Sequence, residues 1–465
     1  MFHPYKISHA SRKFKNDFFI TESFIEKKFI FPHLPVDFLK KQVYSSLKSS
    51  GQRTLYKRKK QKVMEELEIK VSCTPLSHLC RVNEKVEFFI TANQTVPLDV
   101  VISVDGEAVI ETKTVTPPAK LTTSLPFPGF LRCTVRHGTA VQECGVGVDP
   151  DQITTLMQEP DDFDAFWENA FRELEAIPPE FKMERCESSG EFDIFRIDCN
   201  TVNGLRFYAL LALPQDKTKK VPLMVRFSGG EAFISEESFR SSPHATREQL
   251  GVECAELLFQ LPPYPPVVNA ADAKARHEKF LEEIGLKRYI YVGLDSPKKY
   301  YAYPSILGSL RLLEFVADMP EINKEAIVYS GSSHGGGFGL YYCCFSKLIK
   351  AAFCGVPNFG DIAGFLTGRH PTDSMAPEFR EHVDTRNYFD AAFCARRITC
   401  PVFISAGFVD RACSPSSIYA IYNNLSGPKM IYNKINNGHV DAPGDYIPMY
   451  QLWLAERLKE LLREQ

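Results

Sequence analysis

From Leu67 onward the chain alternates apolar and polar residues: Leu67, Ile69, Val71 and Cys73 interleave with Glu68, Lys70 and Ser72. A period of two places the apolar set on one face of a strand. Val86, Phe88 and Ile90 repeat the pattern, and Val100, Ile102 and Val104 lead through Asp105-Gly106, a turn, into the return strand Ala108-Val109-Ile110. Leu131, Cys133, Val135, Val146 and Val148 follow before Asp149-Pro150 breaks the series. The spacing predicts six or seven short strands folded as a small all-β sandwich over residues 64–150. It carries no catalytic cluster, and a packing or spacer module is favoured over a sugar-binding one.

The pattern then changes. Phe163, Phe166, Trp167, Phe171 and Leu174 fall at helical spacing after Pro160-Asp161-Asp162, with acids in the first turn, which predicts a helix to about Glu175. Residues 192–198 and 205–213 are strand-like and joined by Asn203-Gly204, a hairpin signal. Val221 to Phe227 is continuously apolar and bounded by Gly229-Gly230. From there strand and helix patterns alternate to a closing helix, Tyr446 to Leu462. Continuously apolar strands belong in a mostly parallel sheet covered on both faces, so residues 151–465 are expected to be an α/β domain.

One stretch organises that domain. Glu325 to Ser330 is a strand-type run, Phe338 to Phe345 an apolar helix, and between them lies Gly331-Ser332-Ser333-His334-Gly335-Gly336-Gly337. GxSxG at a strand-to-helix turn is a nucleophile elbow: Gly331 and Gly335 let the backbone close, and Ser333 points out of it. The helix start aims free N–H groups at the same spot, so the His334 amide is a candidate oxyanion donor.

A serine there needs a base and a carboxylate to orient it. Asp410 follows the strand 399–407 in the loop at its carboxyl end. His439 follows the strand 429–435 in Asn436-Asn437-Gly438-His439, where Gly438 is expected to give the backbone room. Serine, acid, histidine is the order used on this architecture. His334 adjoins the serine and cannot easily turn back to its oxygen. His370 and His382 precede the acid in what reads as an inserted helical cap, where a surface or pocket-wall role is expected. A second oxyanion donor is expected after Val221–Phe227, from Gly229-Gly230, with Gly230 the candidate.

These stretches resemble the acetyl xylan esterase and cephalosporin C deacetylase family of α/β-hydrolases. The similarity runs from Pro160 to the C-terminus: the opening helix, Tyr300-Tyr301-Ala302-Tyr303 through Pro320-Glu321-Ile322, the elbow, Ala406-Gly407 through Asp410, Cys413-Ser414-Pro415, Gly427-Pro428-Lys429 and Gly438-His439. The resemblance implies Ser333 as nucleophile, Asp410 as acid, His439 as base, and removal of acetyl groups from sugar or cephalosporin hydroxyls. Three departures stand out. Ser332 and His334 replace the family's usual Gly and Gln; Ser228-Gly229-Gly230 replaces His-Gly-Tyr; and the stretch from Leu261 to Pro266 stands where an Arg-Gly-Gln signature is usual. They bear on acetyl selectivity and on the family's ring-like oligomer, so a homo-oligomer is left open. The expected partner is an acylated carbohydrate or other small ester, with no metal or organic cofactor. A serine peptidase and a carbohydrate-binding protein with an inactive hydrolase domain are the competing readings.

Composition changes this picture only at the edges. With 44% hydrophobic and 24% charged residues in 465, the chain is long enough for two domains with large cores. The net charge of −2 conceals a basic leader: residues 1–63 hold 15 Lys and Arg against 4 Asp and Glu. A solvated tail is expected there, with a nucleic-acid or membrane-surface arm, or a true start at Met64, as alternatives; neither nucleic acid nor membrane is expected as a partner. No run approaches a membrane span, and Lys6, Arg12, Lys13, Lys15 and Asp17 interrupt any signal-peptide core, which makes cytoplasm the expectation. Thirteen cysteines without a metal spacing are expected to be reduced and mostly buried.

Overall fold

The period-two region forms eight strands: β1 (Ile69–Thr74), β2 (Leu79–Cys80), β3 (Val86–Ala92), β4 (Leu98–Val104), β5 (Ala108–Val115), β6 (Ala119–Thr123), β7 (Gly129–His137) and β8 (Ala140–Val148). The computed structural model describes residues 66–227, 229–230, 233–370, 377–440 and 447–463. The basic leader, Met64, Ser228 and Tyr446 lie outside the described residues. Strands β1, β3 and β6 make one sheet, and β2, β8, β7, β4 and β5 another, in those orders. Cys73, Phe88 and Ile90 from the first share an apolar cluster with Val100, Ile102, Leu131, Cys133 and Val146 from the second. β2 has two residues and β6 buries only Leu121, too little for alternation to register in the sequence.

Nine further strands form a single sheet: β9 (Lys182–Arg185), β10 (Phe192–Asn200), β11 (Arg206–Pro214), β12 (Val221–Phe227), β13 (Ala255–Gln260), β14 (Ile322–Ser332), β15 (Ala351–Gly355), β16 (Val402–Gly407) and β17 (Lys429–Lys434). Their order is β17-β16-β15-β14-β12-β13-β11-β10-β9. The six strands β12 to β17 pair in parallel, and β9 to β11 add an antiparallel edge. The longer helices that matter here are α1 (Phe163–Glu175), α2 (Ala302–Ala317), α3 (His334–Phe345), α4 (Pro415–Asn424) and α5 (Ile447–Arg463).

Both sheet faces are covered, and the strands show why they read as unbroken apolar runs. On β12, Leu223, Val225 and Phe227 point into the core shared with α1 to α4, whereas Met224 joins Leu454, Ala455 and Leu458 of α5 on the other side. β14 divides in the same way, Ile327 and Tyr329 against Ala326 and Val328. Parallel register then levels the carboxyl ends. Phe227 pairs with Gly331, Ser332 with Gly355, Gly355 with Ser405, and Gly407 with Lys434. The loops that follow β12, β14, β16 and β17 therefore leave the sheet along one edge, where open parallel sheets place their ligands.

The described residues from Glu66 onward form one compact unit. Phe130 of β7 belongs to the core of the nine-stranded sheet, stacked edge-on against Phe408 at 4.9 Å.

Helix α3 lies close to β14 because a glycine, Gly339, faces the strand. A Cβ at Gly339 would stand 2.2 Å from the Tyr329 ring and 3.0 Å from Cys354 Sγ. Alanine gains about 1 kcal/mol of helix propensity over glycine, but overpacking against a fully buried ring costs about 1–3 kcal/mol and here has no flexible neighbour to yield. A 2.2 Å approach puts the cost in the upper part of that range, about 2–3 kcal/mol, so Gly339→Ala should lower stability by about 1–2 kcal/mol net, measured by urea unfolding; an unchanged midpoint would mean that α3 can lift off the sheet.

Candidate active site

At the end of β14 the backbone reverses through Ser333, whose φ of 59° and ψ of −120° are strained for a residue with a side chain. Three backbone hydrogen bonds hold the strain in place. The Ser333 N–H donates to the Gly355 carbonyl at 2.8 Å, and the Ser333 carbonyl accepts from Gly337 and Asn358, each at 3.1 Å. Gly331 is needed because a Cβ there would lie 2.5 Å from Tyr329 Oη and 2.9 Å from the Gly335 carbonyl. That tyrosine hydroxyl donates to the same carbonyl and ties the strand to the first turn of α3. The serine side chain is left half-buried at the sheet edge.

Two loops meet it there. His439 Nε2 stands 2.9 Å from Ser333 Oγ, and His439 Nδ1 stands 2.9 Å from Asp410 Oδ2. Asp410 is fully buried, and its other oxygen accepts the N–H groups of Ala412 at 2.7 Å and Cys413 at 3.0 Å. A carboxylate in that setting accepts from Nδ1–H, leaving the Nε2 lone pair to face the serine hydroxyl. The close approach of the acid and base loops depends on Gly407: a Cβ there would lie 2.5 Å from the Gly438 carbonyl. At Gly438 a Cβ would meet only an ordinary 3.4 Å contact, so the room expected from Gly438 is provided by Gly407. Lys434, at the end of β17, places its ammonium 3.5 Å from the His439 carbonyl.

His334 opens α3, and the N–H groups of that first turn have no acceptor inside the helix. Its imidazole turns inward, away from the serine. It stacks on Phe338 at 5.1 Å, and Nε2 meets Tyr301 Oη at 3.1 Å. Of the glycines after β12, Gly229 lies nearer the serine: its Cβ would be 3.7 Å from Ser333 Cβ, whereas Gly230, at φ +60°, has nothing within 4 Å of such an atom.

The other histidines lie elsewhere. His382 begins the short helix Val383–Asn387, and its carbonyl accepts the Arg386 N–H. His370 Nδ1 lies 3.3 Å from Glu107 in the turn between β4 and β5, and Nε2 contacts the Arg411 carbonyl. Sequence spacing gave no hint of a third grouping, the buried set Cys73, His78 and Cys144. His78 Nδ1 is 2.8 Å from the Gly145 carbonyl, which can only accept. The proton it needs occupies the lone pair a metal would take, so the grouping is a hydrogen-bonded one. Hydrogen bonding to Cys144 and His78 lowers the pKa of the Cys73 thiol.

A family model described as acetyl xylan esterase (AXE1) matches residues 151–451. The chain belongs to the acetyl xylan esterase family. Acetyl esterase Axe7A of Xylanibacter ruminicola is 26% identical over 366 residues, which cover 76% of this chain and 78% of that protein. Among solved structures, an acetyl xylan esterase from Paenibacillus sp. R4 superposes with a TM-score of 0.54 at 19% identity, covering 67% of this chain and 98% of that one. Acetyl xylan esterase 1 from Thermoanaerobacterium sp. JW/SL YS485 gives 0.54 and 19%, over 66% and 97%. These neighbours are esterases of the α/β-hydrolase type, and membership of the family makes this chain a carboxylic ester hydrolase. The family match begins beyond β8, so Arg132 and Glu143, both in contact with the acid loop, lie outside it.

Within this family member the His334 side chain is a stability element. Burial, followed by repulsion from Arg288, pushes its pKa down to about 3, so it is neutral when folded and takes up a proton near 6.5 when unfolded. Between those values the unfolded state binds the extra proton, and stability falls as pH falls. His334→Phe keeps the ring stack and the backbone amide but loses the Tyr301 hydrogen bond. We expect lower stability at neutral pH and, between pH 6.5 and 3, a slope of unfolding free energy shallower by up to ~1.4 kcal/mol per pH unit. Urea unfolding at a series of pH values measures this; parallel curves for the two proteins would exclude it.

Proposed function

We propose that the protein is a serine esterase that removes short acyl groups, acetyl foremost, from carbohydrate hydroxyls through Ser333, His439 and Asp410. The observation that carries the reading is His439 standing 2.9 Å from both Ser333 Oγ and Asp410 Oδ2. Ser333 Oγ attacks the ester carbonyl while His439 Nε2 takes its proton, and Asp410 holds the imidazole in the right tautomer and steadies the imidazolium. The His334 amide and an amide of the Gly229-Gly230 loop receive the oxyanion. His439 returns the proton to the departing sugar oxygen, leaving an acyl-serine. Water, deprotonated by the same histidine, attacks the acyl carbon and releases the acid.

The acetyl preference is supported by family membership and by Axe7A, whose name is acetyl esterase. We further read residues 66–148 as an accessory β-sandwich, because two sheets share one apolar cluster there. A reducing compartment fits thirteen free thiols, eleven of them buried. Among the described residues no helix is long and apolar enough to cross a membrane.

Acetate release from an acetylated xylo-oligosaccharide tests the reading. Ser333→Ala should reduce turnover by at least about 10³-fold, and Asp410→Asn by about 10⁴-fold with little change in KM. A parent that labels with a fluorophosphonate at Ser333 yet releases no acetate would retain the machinery and overturn the substrate. Faster cleavage of a small amide than of the matching ester would favour a peptidase.

A further inference from the structure

The acid loop is gripped from outside the family-matched segment. Arg132, at the middle of β7, is 1% exposed, and its Nη2 donates to the main-chain carbonyl of Asp410 at 2.6 Å. The Asp105-Gly106 turn closes over the guanidinium: a Cβ at Gly106 would stand 2.6 Å from Nη1. The neighbouring residues of the loop are held from the same two strands. Glu143 on β8 pairs with Arg411, Phe130 on β7 packs edge-on against Phe408, and Gly145 on β8 admits the Phe408 carbonyl to within 2.5 Å of where a Cβ would be.

We propose that Arg132 is a positioning residue for the reaction, fixing the peptide plane after Asp410 and through it the carboxylate that orients His439. The proposal rests on the triad reading. Burying a guanidinium is expensive, and a strand that only packs against a neighbouring domain is better served by an apolar side chain. Glu143 and the buried Asp105 offset the charge, but the hydrogen bond goes to a single carbonyl, that of the residue whose carboxylate meets the base. Asp410 is then held on both sides: the N–H groups of Ala412 and Cys413 fix its side chain, and Arg132 fixes its backbone. Catalytic groups have to be held within about 0.5 Å of their productive positions, and a loop reaches that precision only when something rigid supports it. The β7–β8 pair, a continuous antiparallel ladder from Gly129 to His137, is such a support.

The test uses the full chain with Arg132→Met and Arg132→Lys, p-nitrophenyl acetate as substrate, and fluorophosphonate labelling of Ser333 to count active sites. A loss of folding alone lowers the number of labelled sites and leaves the turnover of each unchanged. We expect instead that Arg132→Met lowers kcat per labelled site by about 10–100-fold while KM changes by less than about 3-fold. Arg132→Lys, which keeps the charge without the planar fork, should fall between the methionine variant and the parent. A folded Arg132→Met within about 2-fold of the parent in kcat per site, or a folded Arg132→Lys slower per site than the methionine variant, would overturn the proposal. Failure of both to fold would make Arg132 structural and overturn it equally. If the parent itself is not labelled, or Ser333→Ala keeps hydrolysing, the triad reading has failed and the proposal falls with it.

Discussion

The left-handed backbone at Ser333 is the constraint on which the rest depends. A side-chain-bearing residue at φ +59° costs on the order of 1–3 kcal/mol and persists only where its surroundings over-determine it. Those surroundings are the end of β15, whose Gly355 carbonyl takes the serine N–H, and Gly339 of α3, which lets the helix turn down against β14. Parallel register then does the remaining work. Because Gly355 pairs with Ser405 and Gly407 with Lys434, the loops after β16 and β17 leave the sheet level with the elbow. The serine needs its neighbours in register more than it needs any particular side chain beside it.

Polar groups at this edge are handled in two opposite ways. His334 is kept neutral by burial and answered by a tyrosine hydroxyl, so its ring acts as an aromatic side chain. Asp410 is equally inaccessible but surrounded by N–H donors, an environment in which an anion can sit without water. The two residues differ less in exposure than in the direction of the dipoles around them. That difference separates a core element from a candidate catalytic group.

Much of this was legible in the sequence. The strand Val221–Phe227, the hairpin around Asn203-Gly204 and the elbow at Ser333 are short-range patterns, and short-range patterns survive into the fold. Asp410 and His439 could be chosen because each follows a recognisable strand. Arg132 could not: its partner lies 278 residues away, and an arginine on an alternating strand looks like a solvated residue. The Cys73, His78 and Cys144 grouping was hidden in the same way, its members brought together by pairing of strands distant in sequence. Which of Gly229 and Gly230 lies nearer the serine depends on the turn taken after Phe227, and two adjacent glycines leave that turn undetermined by composition.

The contact between β7–β8 and the acid loop also sets an order of events during synthesis. Domains emerge from the ribosome N-terminal end first. The eight early strands can pair among themselves at once, yet the face carrying Phe130 and Arg132 has no counterpart until residues 408–411 have been made. The residues that cover this aromatic ring and guanidinium therefore come from a loop near the far end of the chain. Completion of the candidate active site and closure of that face depend on the same contact.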